Sequence, residues 1–183
     1  MMVREFDNFL SPELCDKLIN LSLDKLEVAE VLGENQNWRT ASSCWLTESH
    51  NESISDLRVR ISEMINMPVE NMETLHIVKY DVGGEYKTHQ DYFHKGEDYN
   101  ENISRGGQRQ KTALIYLNED FTGGVTRFPQ IYLSIKPEVG KLVIWDNLLS
   151  DGTPDLLSSH CGLPVESGEK WIAVIWIREK EFK

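Results

Sequence analysis

The residues best suited to chemistry are the triplet His89-Gln90-Asp91 and, far downstream, His160, with Lys170 just beyond it. Two imidazoles and one carboxylate can hold one face of a ferrous ion and leave the opposite positions open for an oxidant and a co-substrate. The His-x-Asp spacing fits that task in an extended strand, where residues two apart project from the same side. The set contains no thiolate, which disfavours a structural zinc site. His-x-Asp is a short pattern that carries little information alone, so the elements around it must supply the rest.

The sequence predicts a helix over Ser11–Leu26. Ser11 can cap it, Pro12 fits its first turn, Glu13 favours the positive end of its dipole, and Leu14, Leu18, Leu21 and Leu26 fall along one face. A second helix is predicted over Ser53–Asn66, with an apolar stripe of Ile54, Leu57, Ile61, Met64 and Ile65 and a stop at Pro68. Both stripes read as core packing. From Thr74 onward the pattern breaks into short β-rich runs at 74–80, 86–89, 112–117, 125–128, 141–145, 156–160 and 171–178, with an outer strand within Trp38–Leu46. Gly83-Gly84, Gly123-Gly124, Pro137, Gly140, Gly152, Pro154 and Gly168 punctuate them. Many short strands with regular turn signals point to a sandwich or barrel. The polar, aliphatic-poor segment His94–Gln108 follows the metal triplet directly and is expected to be a mobile loop, a candidate lid. Asp146-Asn147 and Asp151–Asp155 read as a turn at the barrel mouth with structural duty. Without repeats, low-complexity tracts or a linker, one domain is expected over 1–183: helical and outer-strand support to about residue 73, then the barrel.

A chain of 183 residues can bury a substantial core. Its 40% hydrophobic and 27% charged residues are those of an ordinary globular protein, and no apolar run reaches membrane-spanning length. The opening MMVREFDNFL lacks the layout of a secretory signal, so a cytoplasmic protein is expected. A formal net charge of -11 argues against nucleic acid as the partner. It suits a basic peptide, although solubility is the simpler reason for it. Cys15, Cys44 and Cys161 are odd in number and widely spaced, so reduced thiols are expected. Cys161, beside His160, reads as a small buried apolar residue.

Longer motifs frame the candidate ligands: Tyr80-x-x-Gly-Gly-x-Tyr86-x-x-His89-x-Asp91, then Thr112-Ala-Leu-Ile-Tyr-Leu-Asn118, then Gly123-Gly-Val-Thr-Arg-Phe-Pro129. Val143-Ile-Trp-Asp-Asn147, His160, Lys170-Trp171 and Trp176-Ile-Arg178-Glu179 follow. In this order and spacing, from about Leu75 to the C-terminus, they resemble the prolyl 4-hydroxylase branch of the iron(II)/2-oxoglutarate-dependent dioxygenases. The N-terminal third matches more loosely, through Ser11-Pro-Glu-Leu-Cys-Asp and Arg39-Thr-Ala-Ser-Ser.

The resemblance implies a mainly β (α+β) fold, a double-stranded β-helix or jelly-roll barrel with supporting N-terminal helices. It implies Fe(II) held by His89, Asp91 and His160, and 2-oxoglutarate whose distal carboxylate meets Lys170, Tyr116 and Thr126, with Tyr80 alongside. Tyr86, Arg109, Trp176 and Arg178 are implied around a prolyl residue of a peptide or protein substrate. The implied reaction uses O2 to hydroxylate the 4-position while 2-oxoglutarate becomes succinate, with ascorbate rescuing uncoupled turnovers. Physical chemistry is consistent with these roles. A lysine is a compact charge on a flexible stem, and Lys170 precedes an intensely apolar run. An aromatic wall suits a pyrrolidine ring, and an arginine can donate to a peptide carbonyl, though Arg109 can equally be a strand-end charge. His50, His76 and His94 have no such support as ligands. The metal and co-substrate residues leave open the same chemistry on a free amino acid, a lysyl residue or another small molecule. A non-catalytic peptide-binding barrel is the reading from a different class. The charge balance and the lysine-type co-substrate site disfavour a nucleobase.

Overall fold

The structure, a computed structural model, describes residues 3–29, 38–96 and 98–183; Glu97 of the predicted lid lies outside the described residues. The chain runs β1 (Val3–Phe6), α1 (Pro12–Ser22), β2 (Glu27–Val28), β3 (Ser42–Leu46), α2 (Ser53–Ile65), β4 (Leu75–Tyr80) and β5 (Tyr86–His89). There follow α3 (Tyr99–Ser104), β6 (Arg109–Tyr116), β7 (Thr122–Gly123), β8 (Thr126–Phe128), β9 (Leu133–Ile135) and β10 (Leu142–Asp146). The last strands are β11 (His160–Gly162), β12 (Val165–Ser167) and β13 (Lys170–Arg178).

The Ser11 hydroxyl accepts from the Leu14 amide at 3.3 Å and starts α1 as expected. The helix is shorter than its leucine pattern, tightening into a 3₁₀ turn at Leu23–Lys25. Asn66 ends α2 in the left-handed region at φ 52°, just before Pro68.

Seven strands form one antiparallel sheet in the order β1-β10-β6-β13-β4-β3-β2, and four form a second in the order β5-β11-β8-β9. β13 is central and buried on both faces, so period-two alternation sorts its side chains into two cores. Trp171, Ala173, Ile175 and Ile177 pack with α1 and α2, whereas Ile172, Val174 and Trp176 face the space between the two sheets. The neighbouring strands obey the same parity. Ile77, Ile115 and Ile144 join the helix-side core, while Val78, Tyr80, Leu114, Tyr116 and Trp145 join the inter-sheet core with Phe128 and Ile135 from the second sheet. Each such side chain removed from water contributes roughly 1.5–3 kcal/mol. The consequence for function is that Tyr80, Thr112, Tyr116, Lys170 and Trp176 all point into the cleft between the sheets.

Two expectations need correction, and one strand has no counterpart among them. The run 156–160 is not one strand: the Asp155 carboxylate accepts from the Leu157 amide and closes a 3₁₀ turn over Leu156–Ser158, so the strand starts only at His160. Leu156 and Leu157 stay exposed because no neighbouring strand covers them. The predicted loop at 94–108 contains α3, and its ends are tied. The Gln108 side chain accepts from the Phe93 amide at 2.7 Å and donates to the Phe93 carbonyl at 2.8 Å. Strand β1 was not anticipated; it pairs along β10 at the sheet edge.

Candidate active site

Strand register brings the two histidines together. His160 of β11 is the direct cross-strand partner of His89 of β5, and their rings lie 4.3 Å apart. Asp91 sits two residues beyond His89, in a bend just past the strand end, and stays on the same side. Its carboxylate oxygens are 3.6 Å from His89 Nε2 and 3.7 Å from His160 Nε2. Those distances exceed a hydrogen bond, yet they suit ligands sharing one cation with bonds of about 2.0–2.2 Å.

The donor chemistry fits a divalent metal. Nδ1 of His89 lies 2.8 Å from the Lys87 carbonyl, and Nδ1 of His160 lies 2.9 Å from the Ser158 carbonyl. A carbonyl only accepts, so each Nδ1 carries the proton and each Nε2 presents a lone pair to the centre. Burial, then the neighbouring His89 imidazole, which would repel a second positive ring, pulls His160 down to about 4 and keeps its imidazole neutral near pH 7. Burial pushes Asp91 upward, but the imidazoles of His160 and His89, with Arg109, more than offset this and hold it ionised, well below the usual carboxylate range. His89, Asp91 and His160 are the cluster able to hold a metal ion among the described residues.

A link not foreseen from the sequence supports this carboxylate. The Thr112 hydroxyl donates to Asp91 Oδ2 at 2.6 Å and accepts from Asn147 Nδ2 at 2.9 Å. Asn147, read as part of a turn, is 0% exposed. The available signal was a hydroxyl inside the aliphatic run of β6, since a buried polar group needs a partner.

Deeper in the same cleft, Lys170 pairs with Tyr80 across β13 and β4 and is 2% exposed. Its ammonium donates to the Gly124 carbonyl at 2.7 Å and forms no ion pair among the described residues. Gly124 adopts φ +59°, and a Cβ there would lie 3.1 Å from the lysine stem. The rings of Tyr80 and Tyr116 flank the ammonium at 5.3 and 5.6 Å. The Tyr116 hydroxyl donates to Thr126 Oγ1 at 2.6 Å. Burial pushes Lys170 down to about 7. A buried cation without an anion is costly, and a carboxylate reaching in from the metal side would relieve that cost. The residues thus fit 2-oxoglutarate as well as Fe(II). Cys161, buried and free, lines this pocket without a hydrogen-bonded base.

Outside the pocket lies a broad groove of ≈ 1550 Å³, meeting it at Arg39, Tyr86, His89, Asp91 and Trp176. The Tyr86 ring stacks on His89 at 3.5 Å, and burial pushes its phenol up to about 12. Trp176 lies under the Arg109 guanidinium at 3.8 Å. Arg109 grips Glu73 through Nε and Nη2 at 2.8 and 2.9 Å, so it is more than a strand-end charge. Arg178, expected beside a substrate, is 1% exposed. Its Nη atoms are held by Glu73 at 2.9 Å and by the Asn102 carbonyl of α3, which makes it a brace for the groove wall. Glu73 was not singled out from the sequence, and Arg39 entered only at the head of the Arg39-Thr-Ala-Ser-Ser motif, with no role at the site. His76 is buried and stacked on Trp45 at 4.1 Å; it and His94 both line the outer groove, and neither belongs to the metal cluster.

Residues 75–178, from β4 to the end of β13, match the model of the 2OG-Fe(II) oxygenase superfamily. The chain belongs to that superfamily and is a 2-oxoglutarate-dependent dioxygenase with the double-stranded β-helix fold. Within it, the chain is prolyl 4-hydroxylase-like. It is 35% identical to Prolyl 4-hydroxylase 1 of Arabidopsis thaliana, over 94% of this chain and 67% of that protein. It is 32% identical to Prolyl 4-hydroxylase 2 of the same plant, over 97% and 67%. The crystal structure of the viral collagen prolyl hydroxylase of Paramecium Bursaria Chlorella virus-1, a 2OG complex, superposes with a TM-score of 0.80 at 28% identity. That match covers 97% of this chain and 96% of the viral one.

Proposed function

We propose that this enzyme hydroxylates the 4-position of prolyl residues in a peptide or protein, with dioxygen as oxidant and 2-oxoglutarate consumed to succinate. The observation that carries the reading is the continuity of an open, peptide-sized groove with a pocket holding both the His89, Asp91 and His160 triad and the anion-seeking Lys170. Bound Fe(II), with its co-substrates, supplies an oxidant that places one oxygen atom into an unactivated C–H bond.

The chain's own residues do the rest. His89 and His160 offer fixed Nε2 lone pairs, and Asp91, oriented by Thr112, adds the anionic ligand. Lys170 receives the distal carboxylate, with Tyr116, Thr126 and Tyr80 shaping the space around it. Tyr86 and Trp176 form an apolar wall for a pyrrolidine ring, and Arg109, fixed by Glu73 through Nε and Nη2, has an Nη1 without a hydrogen-bond partner among the described residues that can meet a peptide carbonyl. Seating the substrate there shields the reacting carbon from water. Ascorbate serves as reductant for turnovers without peptide. The unpaired thiols of Cys15, Cys44 and Cys161 support a reducing, cytoplasmic setting.

The test is incubation with Fe(II), 2-oxoglutarate and a panel of proline-containing peptides, read by mass spectrometry and succinate release. A gain of one oxygen on proline, matched by succinate, is expected. Oxygen gained only by lysyl peptides or free amino acids, or succinate release that no peptide stimulates, contradicts the assignment.

A further inference from the structure

We propose that the peptide carries acidic residues flanking the reacting one, because the groove is a cationic patch on an acidic protein; this rests on the peptide-hydroxylase reading. The whole chain has 30 acids against 19 lysines and arginines. The groove reverses the ratio. Among the described residues lining it are six cations, Lys25, Arg39, Lys95, Arg105, Arg109 and Arg178, against four acids. Two of those acids are already committed: Glu73 is shared by Arg109 and Arg178, and Asp91 belongs to the triad. The other two, Glu27 and Asp98, form no ion pair with the groove's cations.

Three of the groove's cations, Lys25, Arg39 and Lys95, have no carboxylate partner among the described residues. Lys25 donates to the Leu21 carbonyl at 2.9 Å and Lys95 is exposed, whereas Arg105 Nε donates at 3.1 Å to a terminal carboxylate oxygen of Lys183, the last residue of the sequence. Arg39 is the informative one. It stands at the neck between groove and pocket, half-buried, its guanidinium 5.0 Å above the Tyr86 ring and its Nε buried without a hydrogen-bond partner among the described residues. A buried donor left unmade is costly, and a carboxylate is the partner that guanidinium geometry accepts best.

Local charge outweighs global charge here. Exposed charges are screened over about 10 Å at 0.1 M salt, so the acidic exterior weakly repels an anionic peptide while the groove attracts it at contact distance. A concave wall of one sign also focuses its field, and a divalent ion in the triad adds to it. A basic partner, which net charge alone would favour, meets like charge along the groove.

The experiment uses three synthetic peptides of equal length in which the prolines are flanked by Glu, Ser or Lys. Binding to the metal-free protein is measured by tryptophan fluorescence or calorimetry at low and high salt, and kcat/KM with Fe(II) and 2-oxoglutarate. The expected order is Glu, then Ser, then Lys, with about tenfold or more between the extremes at low salt, shrinking as salt rises. The exposed double reversal Lys25→Glu with Lys95→Glu should collapse or invert that ratio. Equal binding of all three, a preference for Lys, no binding of any, or an unchanged ratio in the reversed variant overturns the proposal. If acidic peptides bind best but no proline gains oxygen, the charge inference stands and the prolyl reading falls. If all three are hydroxylated with equal efficiency, the reverse holds.

Discussion

Thr112→Val is a small perturbation with a large expected consequence. Valine keeps the β-branching that suits the middle of β6 and nearly the same volume, but it deletes the hydroxyl joining Asp91 to Asn147 at 2.6 and 2.9 Å. The bond to Asp91 is charge-assisted and is worth roughly 1.5–3 kcal/mol, and a buried amide left unpaired costs about 1–3 kcal/mol. Because these terms overlap, we expect a stability loss of about 2–4 kcal/mol, within the 5–15 kcal/mol typical of a folded domain. The same hydroxyl orients a metal ligand, and losing such support typically weakens metal binding by about 10–100-fold, or roughly 1.4–2.8 kcal/mol. The assay is a Mn(II) titration of the parent, Thr112→Val and Thr112→Ser, with thermal unfolding of each in the metal-free state. The serine variant restores the hydroxyl and should recover most of the affinity. If the valine variant binds Mn(II) within about twofold of the parent, the orienting role is refuted and Thr112 serves packing alone.

Lys170→Ala should weaken 2-oxoglutarate binding by about 100-fold or more while leaving Mn(II) binding nearly intact; similar losses of both would argue against the pairing. Burial pushes Lys170 down to about 7 from an ordinary 10.5, so between those values the unfolded chain binds more protons than the folded one. Its contribution to stability therefore rises with pH across that window, which a comparison of unfolding midpoints with Lys170→Met checks; a flat or falling difference contradicts it. Binding of 2-oxoglutarate should take up a proton near pH 8 and little near pH 6, as calorimetry in buffers of different ionisation enthalpy will show, and equal uptake at both would count against it. Glu73→Gln leaves two guanidinium groups without their anion, at a cost of roughly 3–5 kcal/mol. Hydrogen exchange should then quicken around α3, which Arg178 holds through Asn102; unchanged protection there would count against the brace.

The parts of the site legible in the sequence were those encoded by local spacing or by chain order. His89-x-Asp91 lies at a strand end, and Lys170 opens a nine-residue strand whose apolar run announced its central position. Parity along that strand is enough to put Lys170 and Trp176 on one side. What could not be read depends on tertiary partners. Glu73 reaches Arg109 and Arg178 from 36 and 105 residues away, and no local pattern marks it. Asn147 resembled a turn residue because Asp and Gly follow it closely, yet its amide closes a hydrogen bond to β6. Strand β1 is four residues long and draws its order from β10 rather than from its own alternation. At Leu156-Leu157 propensity misled, since a capped turn won over a strand that had no neighbour to pair with. Net charge is silent on the groove's own balance, because the groove gathers a minority of cations that composition averages away.

The most direct test is an anaerobic crystal structure with Mn(II) and 2-oxoglutarate. Mn(II) should be bound by Nε2 of His89, Nε2 of His160 and the Asp91 carboxylate, with the far carboxylate of 2-oxoglutarate on the Lys170 ammonium. Metal bound elsewhere, or a co-substrate whose far end turns away from Lys170, would contradict this assignment.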